Sequence, residues 1–196
     1  MIFMMKLNIA DKIKHADLVE ACRMHDRQAQ EKIYDLYCKA MYNASFRILN
    51  HSAEAEDIMQ ESFIEAFEKL NTFRGEGSFG SWLKRIVINN SINFLRRKKE
   101  TLRLEDEQIE MIDRAQEENE YSENLFCRLE EVRKGLEELP ENYRVIISLH
   151  LLEGYDYEEI SEITGLSNGN VRTTFSRAKQ KLLQVIMKSR DKQPVS

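Results

Sequence analysis

The sequence predicts an all-α protein made of two small helical domains joined by an acidic linker. Only two prolines and seven glycines occur in 196 residues, which leaves little room for a sheet with tight turns. Apolar residues recur at helical spacing on both sides of one break, Glu100 to Glu123. That segment holds ten acidic and two basic residues and lacks strong apolar periodicity, which is typical of a flexible linker.

These patterns divide the chain into five parts. The first three parts are an N-terminal extension (1–15), a first helical domain (16–99) and the acidic linker (100–122). The last two are a four-helix second domain (123–188) and a disordered tail (189–196).

The first domain is predicted to contain four helices. They are expected over Asp17 to Met24, over Gln28 to Leu49, from a cap at Ser52, and from Ser78 to the cations that end at Lys99. The apolar stripe of the second helix comprises Ile33, Leu36, Tyr37, Ala40, Met41, Ala44 and Ile48. That of the third helix comprises Ala55, Ile58, Met59, Ser62, Phe63, Ala66, Phe67 and Leu70.

The second domain is predicted to open with two helices separated by Pro140. The first begins near Glu123, and Pro140 stops it and starts the next one. The second runs to about Leu152, with Gly154 as its C-terminal cap. The apolar face of the first comprises Leu125, Leu129, Val132, Leu136 and Leu139.

The remaining two helices have the pattern of a helix-turn-helix. Asp156 and Glu159 form a capping-box pattern before a short helix. Gly165 supplies the turn, Leu166 is expected to plug it, and Ser167 caps the second helix. That helix has an apolar side at Val171, Ala178, Leu182 and Ile186. A helical hairpin with a solvated basic face is the alternative.

Basic charge is concentrated in two windows although the net charge is −5. Each window contains six Lys or Arg and no acidic residue, and the windows are Gly77 to Lys99 and Ile163 to Arg190. The rest of the chain therefore carries −17, since the windows carry twelve positive charges. Two basic faces indicate two nucleic-acid surfaces, and the acidic remainder indicates either a basic partner or the avoidance of non-specific DNA.

Several classes of protein do not fit the sequence. No apolar run reaches the ~20 residues of a membrane span, and the start MIFMMKLNIA lacks the features of a signal peptide. Met4 or Met5 could equally be the first residue. Three distant cysteines fit a reducing cytoplasm. Although Cys22 and His25 have metal-like spacing, no second pair follows, so neither a metal nor a cofactor is expected.

From roughly Asp26 to Leu183 the chain resembles a bacterial sigma factor of the extracytoplasmic-function group. AEAEDIMQESFIEAFEKL is similar to the acidic helix of the family's second region. FRGEGSFGSWLKRIVINNSINFLRRKK is similar to its promoter-melting and −10-reading segment. LEELPENYRVIISLHLLEGYDYEEISEITGLSNGNVRTTFSRAKQKL is similar to the fourth region, which reads the −35 element. The pattern departs at Gln30, where a large apolar residue is usual.

The resemblance implies that the acidic helix docks on the clamp helices of the largest polymerase subunit. The expected contacts are Glu56, Asp57, Gln60 and Glu61. A solvated helix face is one alternative. A metal nuclease is another, but no further ligand or nucleophile accompanies the carboxylates.

The resemblance further implies that the glycine-containing segment from Asn71 to Gly80 captures a −10 base and that the helix beginning at Ser78 reads this element. Phe79 and Trp82 are expected in the core, whereas Phe73 and Asn89 are expected on DNA. The predicted −10 residues are Phe73, Ser78, Asn89, Asn90, Asn93, Arg96 and Arg97.

On the second helix of the helix-turn-helix, spacing places a polar cluster on one face. Arginine reads guanine bidentately, a helix N-terminus binds phosphate, and lysine adds affinity without sequence information. The predicted −35 residues are Asn168, Gly169, Arg172, Thr173, Ser176, Arg177 and Lys181.

The expected function is therefore that of a non-enzymatic sigma factor in the cytoplasm. It would bind core RNA polymerase through the clamp helices and the beta flap, recognise and melt promoter DNA, and be held by an anti-sigma factor. A stand-alone helix-turn-helix regulator is the alternative, but it leaves the acidic helix and the aromatic loop unexplained.

Overall fold

The computed structural model describes residues 15–103 and 125–191. The chain divides into two compact units, Met1–Phe94 and Leu95–Ser196. Every regular element in the described ranges is helical, which confirms the all-α fold class. The helices are α1 Ala16–Arg23, α2 Arg27–Leu49, α3 Ser52–Glu68, α4 Phe79–Arg103, α5 Leu125–Glu137, α6 Glu141–Ile147, α7 Tyr157–Thr164 and α8 Asn168–Asp191.

The core of the first unit lies between α1, α2, α3 and the first half of α4. Its fully buried side chains include Ile33, Met41 and Leu83. Tyr34 of α2 packs on Phe63 of α3, with ring centroids 4.8 Å apart. The predicted stripe of α3 is confirmed, since all its members are buried except Phe67, which is half-buried, and Leu70 belongs to a 3-10 turn after the helix.

Three local predictions for the first unit were wrong. The side chain that caps α3 belongs to His51, whose Nδ1 accepts a hydrogen bond from the Glu54 amide (3.4 Å), and Ser52 is the first helical residue. Leu36 is 52% exposed and Ala40 is also exposed, because only part of the α2 stripe faces a neighbouring helix. Helix α4 continues to Arg103, so the cations that end at Lys99 precede its last turn.

The second unit packs α5, α6 and α7 around α8. Leu136, Leu139, Ile147, Ala178 and Leu182 form a buried cluster. Gly135 lets α5 approach α8 closely, since a Cβ there would meet Leu182 Cδ1 at 2.8 Å. The side chains of Leu125 and Leu129, predicted to share this face, lie outside the described residues, as do residues 104–122 of the predicted linker.

The predicted second helix of this unit changes its backbone pattern halfway. After Ile147 the chain forms a π-helical turn, Ser148–Leu152, instead of continuing as an α-helix. The Glu153 amide donates to the Ser148 carbonyl and the Tyr155 amide to the Leu149 carbonyl, both at 3.0 Å. Gly154 has φ +82°, which confirms it as the residue that lets the chain leave the helix.

Candidate nucleic-acid interface

The helix-turn-helix predicted from capping residues is formed by α7 and α8. The Asp156 carboxylate accepts hydrogen bonds from the amides of Glu158 and Glu159, and the Glu159 carboxylate accepts one from the Asp156 amide, so the capping box is complete. Gly165 ends α7 with φ +72°. Ser167 Oγ accepts from the Asn170 amide (3.3 Å) and caps α8.

Leu166 does not plug the turn as predicted. Its side chain is 39% exposed. The turn is instead held by a hydrogen bond in which the Ser161 hydroxyl donates to the Leu166 backbone carbonyl. The adjacent core is filled by Ile160 and Ile163, as predicted.

The polar side of α8, here called the recognition face, is separated from the packing side of the same helix. Val171, Ala178 and Leu182 are buried, and Ile186 is half-buried against the same core. The polar residues point elsewhere: Asn168 is half-buried, and the rest of the recognition face is exposed, namely Gly169, Arg172, Thr173, Ser176, Arg177 and Lys181.

Three polar groups of the recognition face are engaged with each other or with the backbone. Arg172 Nε donates to Asn168 Oδ1 (2.8 Å), and the Arg172 guanidinium lies over the Tyr157 ring at 5.2 Å from its centroid. The Thr173 hydroxyl donates to the Gly169 carbonyl (2.9 Å). Asn168 therefore contacts Arg172, another residue predicted to bind DNA. The sequence did not predict this contact between the two side chains.

A second polar face runs along α4. Arg85, Asn89, Asn93 and Arg97 are exposed and follow one another at four-residue intervals, so they share one side of the helix, and the exposed Arg96 borders it. This face opposes Leu83 and Val87, which are fully buried. The structure thus places Asn89 and Asn93 on one exposed side of α4, whereas Arg96 Nη2 donates a hydrogen bond to the Ile163 carbonyl (3.0 Å).

Asn90 differs from the other predicted −10 residues because its amide is turned into the fold. Asn90 Nδ2 donates to Glu65 Oε2 (2.6 Å) and to the Ser62 hydroxyl (3.1 Å), and both acceptors are on α3. The sequence did not predict these two contacts, and a contact between Asn90 and DNA stays a prediction. Hydrogen bonds from Lys69 and Asn90 lower the pKa of Glu65 below its ordinary value.

Phe73 packs on the body of the first unit. Its ring lies 5.7 Å from Phe79 and 5.4 Å from Trp82, and the Phe73 carbonyl accepts a hydrogen bond from Arg23 Nη2 (2.6 Å). The ring is half-buried, so its remaining surface faces outward. Phe79 and Trp82 join the same cluster, which confirms their assignment to the core.

Ser78 has a structural task at the start of α4. Its hydroxyl oxygen accepts a hydrogen bond from the Ser81 amide (3.1 Å) and lies 2.8 Å from the Ser81 hydroxyl. This is the geometry of a helix N-cap. Ser78 therefore ends the glycine loop, here defined as residues 71–78, and begins the helix that carries the polar face.

The carboxylates of α3 form an exposed face opposite its buried stripe. Glu56, Asp57, Gln60 and Glu61 are all exposed, and this set is here called the acidic face. Ile64, which the sequence interpretation did not single out, continues this side of the helix and is 61% exposed. The signal was available, because Ile64 lies seven residues after Asp57 and breaks an otherwise polar row.

Metal-binding geometry is not found at the acidic face or elsewhere in residues 15–103 and 125–191. No group of three or more His, Cys, Asp or Glu side chains in these ranges converges closely enough to hold an ion. Likewise, none of the helices formed by these residues is both long and apolar enough to cross a membrane.

Comparison with known proteins identifies both units. Residues 33–101 match the family described as Sigma-70 region 2, and residues 129–182 match Sigma-70, region 4. The chain is 31% identical to the RNA polymerase sigma-H factor of Pseudomonas aeruginosa, over 87% of this chain and 94% of that protein. It is 30% identical to the ECF RNA polymerase sigma-E factor of Haemophilus influenzae, over 88% and 95%.

A solved structure has the same fold. The sigma factor RpoE of Bartonella quintana, crystallised in complex with the anti-sigma factor NepR, aligns with a TM-score of 0.53 at 23% identity, covering 80% of this chain and 96% of that one.

The chain therefore belongs to the sigma-70 family of RNA polymerase sigma factors. Within the family it belongs to the extracytoplasmic-function (ECF) group. It is a transcription initiation factor, and its family is non-enzymatic.

Proposed function

We propose that the chain binds core RNA polymerase through the acidic face of α3 and directs it to promoters that it reads with α4 and α8. The observation that carries this proposal is that each surface lies on the side of its helix opposite to the side that packs into the core. The acidic face lies opposite Ala55, Ile58 and Met59, and the recognition face lies opposite Val171 and Ala178. Such surfaces are available to partners without unfolding.

The acidic face suits a basic protein partner. Four polar or acidic side chains and the exposed Ile64 combine charge with an apolar contact. Charge steers association and fixes orientation, whereas a desolvated apolar side chain contributes affinity. The clamp helices of the largest polymerase subunit are the proposed partner.

The two basic helices suit promoter DNA. Exposed Arg and Lys side chains on α8 provide phosphate contacts, and arginine forks also read guanine in the major groove. On α4, Asn89 and Asn93 offer amide groups to bases, and the glycine loop next to Phe73 offers a stacking surface for a base outside the duplex. The −35 and −10 elements are the proposed targets of α8 and α4.

Charge reversal on α3 tests polymerase docking. The double variant Asp57→Lys with Glu61→Lys should lose at least about tenfold in affinity for core RNA polymerase, since like charges would then face the partner. Affinity is measured by retention of the purified chain on immobilised core enzyme.

The matched control is Glu31→Lys with Asp35→Lys on α2. These carboxylates are also exposed and four residues apart, so the charge change and spacing are the same. The control should bind as the wild type does, and circular dichroism should show unchanged helicity in both double variants. Equal binding by the α3 variant and the wild type would refute the docking assignment.

An anti-sigma protein in the cytoplasm is the further proposed partner. The Bartonella quintana relative was crystallised with one. Helix α8 also has exposed Leu183 and Met187 four residues apart, an apolar pair on the surface of the second unit. An anti-sigma protein from the same organism should compete with core polymerase for the chain, and simultaneous binding of both would contradict this role.

A further inference from the structure

Three aromatic rings are packed beneath the start of α8. His150 stacks on Tyr157 with ring centroids 4.6 Å apart and planes 20° from parallel. Phe175 contacts both rings, at 4.6 Å from His150 and 5.8 Å from Tyr157. The His150 ring is itself held, because its Nδ1 lies 2.8 Å from the Tyr155 carbonyl and donates to it. The Tyr157 ring is therefore fixed by two neighbouring rings.

Arg172 is held on this cluster at two points. Its guanidinium carbon lies 5.2 Å from the centroid of the Tyr157 ring, within the range of a cation–π interaction. Its Nε donates to Asn168 Oδ1 at 2.8 Å. A contact with the face of a ring and a hydrogen bond to Nε together restrict both the position and the plane of the guanidinium group.

The constraint leaves the outer end of Arg172 available. Among the described residues, neither Nη group of Arg172 donates to a protein acceptor, although the residue is exposed. Two parallel N–H groups at the end of a fixed arm match the O6 and N7 acceptors of guanine in the major groove. A flexible arginine would lose rotamer freedom on binding, and an arm fixed in advance avoids much of that loss.

We propose that Tyr157 and Asn168 are positioning residues that hold Arg172 ready to read one guanine of the upstream promoter element. This rests on the proposed function, because it assigns the means by which α8 reads DNA. It also changes the role of Asn168, whose side chain acts through Arg172 and not on a phosphate.

A double-mutant cycle tests the proposal. The chain is reconstituted with core RNA polymerase and bound to a library of duplexes randomised over the upstream element. Tyr157→Leu should lower affinity for the preferred sequence about three- to tenfold and relax the preference for guanine at one base pair. Tyr157→Phe keeps the ring and should behave as the wild type. In an Arg172→Ala background, Tyr157→Leu should have no further effect.

Asn168→Ala provides a second arm that does not alter the aromatic cluster. It should relax the same base preference as Tyr157→Leu, and its effect should also vanish in the Arg172→Ala background. Because Ser167, not Asn168, caps α8, the helix should remain intact, which circular dichroism checks. If Tyr157→Leu impairs folding, the Asn168→Ala measurements alone test the proposal.

The outcomes are distinct. Losses that persist in the Arg172→Ala background would show that Tyr157 and Asn168 act on the fold or on DNA directly, and would overturn the proposal. Uniform loss across all sequences would make Arg172 a phosphate contact and would also overturn it. If the wild-type holoenzyme prefers no upstream sequence at all, the proposed reading of DNA by α8 fails instead.

Discussion

The two regions of this sigma factor that we propose to bind DNA relate differently to the cores beneath them. On α8, the residues that face outward and those that pack inward are different residues, such as Arg177 and Ala178. Around α4 and the glycine loop, Phe73 and Asn90 are part of the fold as well as candidates for DNA contact. The proposed −10 surface thus shares residues with the core of its unit, whereas on the proposed −35 surface the exposed residues and the buried ones are different.

The largest effect should come from Phe73, where the two roles coincide. Phe73→Ala removes a half-buried ring from the Phe79 and Trp82 cluster, and should destabilise the first unit by about 2 kcal/mol, roughly half the value for a fully buried ring. It should also impair open-complex formation. Chemical denaturation measures the first effect and permanganate footprinting the second.

Phe73→Leu separates the two roles. Leucine retains most of the apolar packing but offers no ring for base stacking. Stability should therefore remain close to that of the wild type while open-complex formation falls. Normal promoter melting by this variant would show that Phe73 serves the fold alone.

Mutations on the recognition face of α8 should affect promoter binding more than stability. Arg172→Ala or Arg177→Ala should cost ~1–3 kcal/mol of promoter binding and relax preference at one base pair. Lys181→Ala should instead weaken all sequences equally and lower the salt dependence by about one contact. Holoenzyme binding to −35 variants at several salt concentrations measures both. A uniform loss for both arginines would place the specificity elsewhere on the helix.

Adjacent asparagines on α4 allow the sharpest comparison. Asn90→Ala should destabilise the first unit by about 1 kcal/mol, because it removes hydrogen bonds to Glu65 and Ser62. Asn89→Ala should leave stability unchanged but impair open-complex formation more than closed-complex binding, since Asn89 is exposed. Equal stability loss in both variants would erase the distinction between them.

The smallest effect concerns pH. Lys69 and Asn90 lower the pKa of Glu65, so the folded state binds this proton less readily than the unfolded state does. The resulting stabilisation is fully present above the unfolded pKa of about 4.3 and is lost as pH falls through the lower folded value. Because Glu65 is partly exposed, it should amount to less than about 1 kcal/mol. Denaturation of Glu65→Gln at neutral and acid pH should show the difference from wild type shrink on acidification. A constant difference would contradict this.

Sequence reasoning succeeded where structure is determined locally. The capping box at Asp156, the turn at Gly165 and the buried stripe of α3 follow from residues within a few positions of each other, and all were confirmed. It failed where distant segments meet. The inward turn of Asn90 depends on Glu65, which is 25 residues away in sequence. The exposure of Leu36 depends on which part of α2 faces a neighbouring helix.

The recognition face shows the same limit on a smaller scale. Spacing alone places Arg172 on the polar side of α8, as the sequence predicted. Its contact with Tyr157 crosses the turn between two helices, so it requires the relative placement of α7 and α8. Periodicity within one helix contains no information about that placement.

The most direct test of the central claim is transcription by reconstituted enzyme. Purified core RNA polymerase is incubated with genomic DNA of the source organism, with and without the chain, and the 5′ ends of the transcripts are mapped. We predict discrete new starts that share two upstream sequence elements, and that these starts disappear when the chain carries both Asp57→Lys and Glu61→Lys. An identical set of starts with and without the wild-type chain, under conditions where core enzyme accepts another sigma factor, would contradict the account.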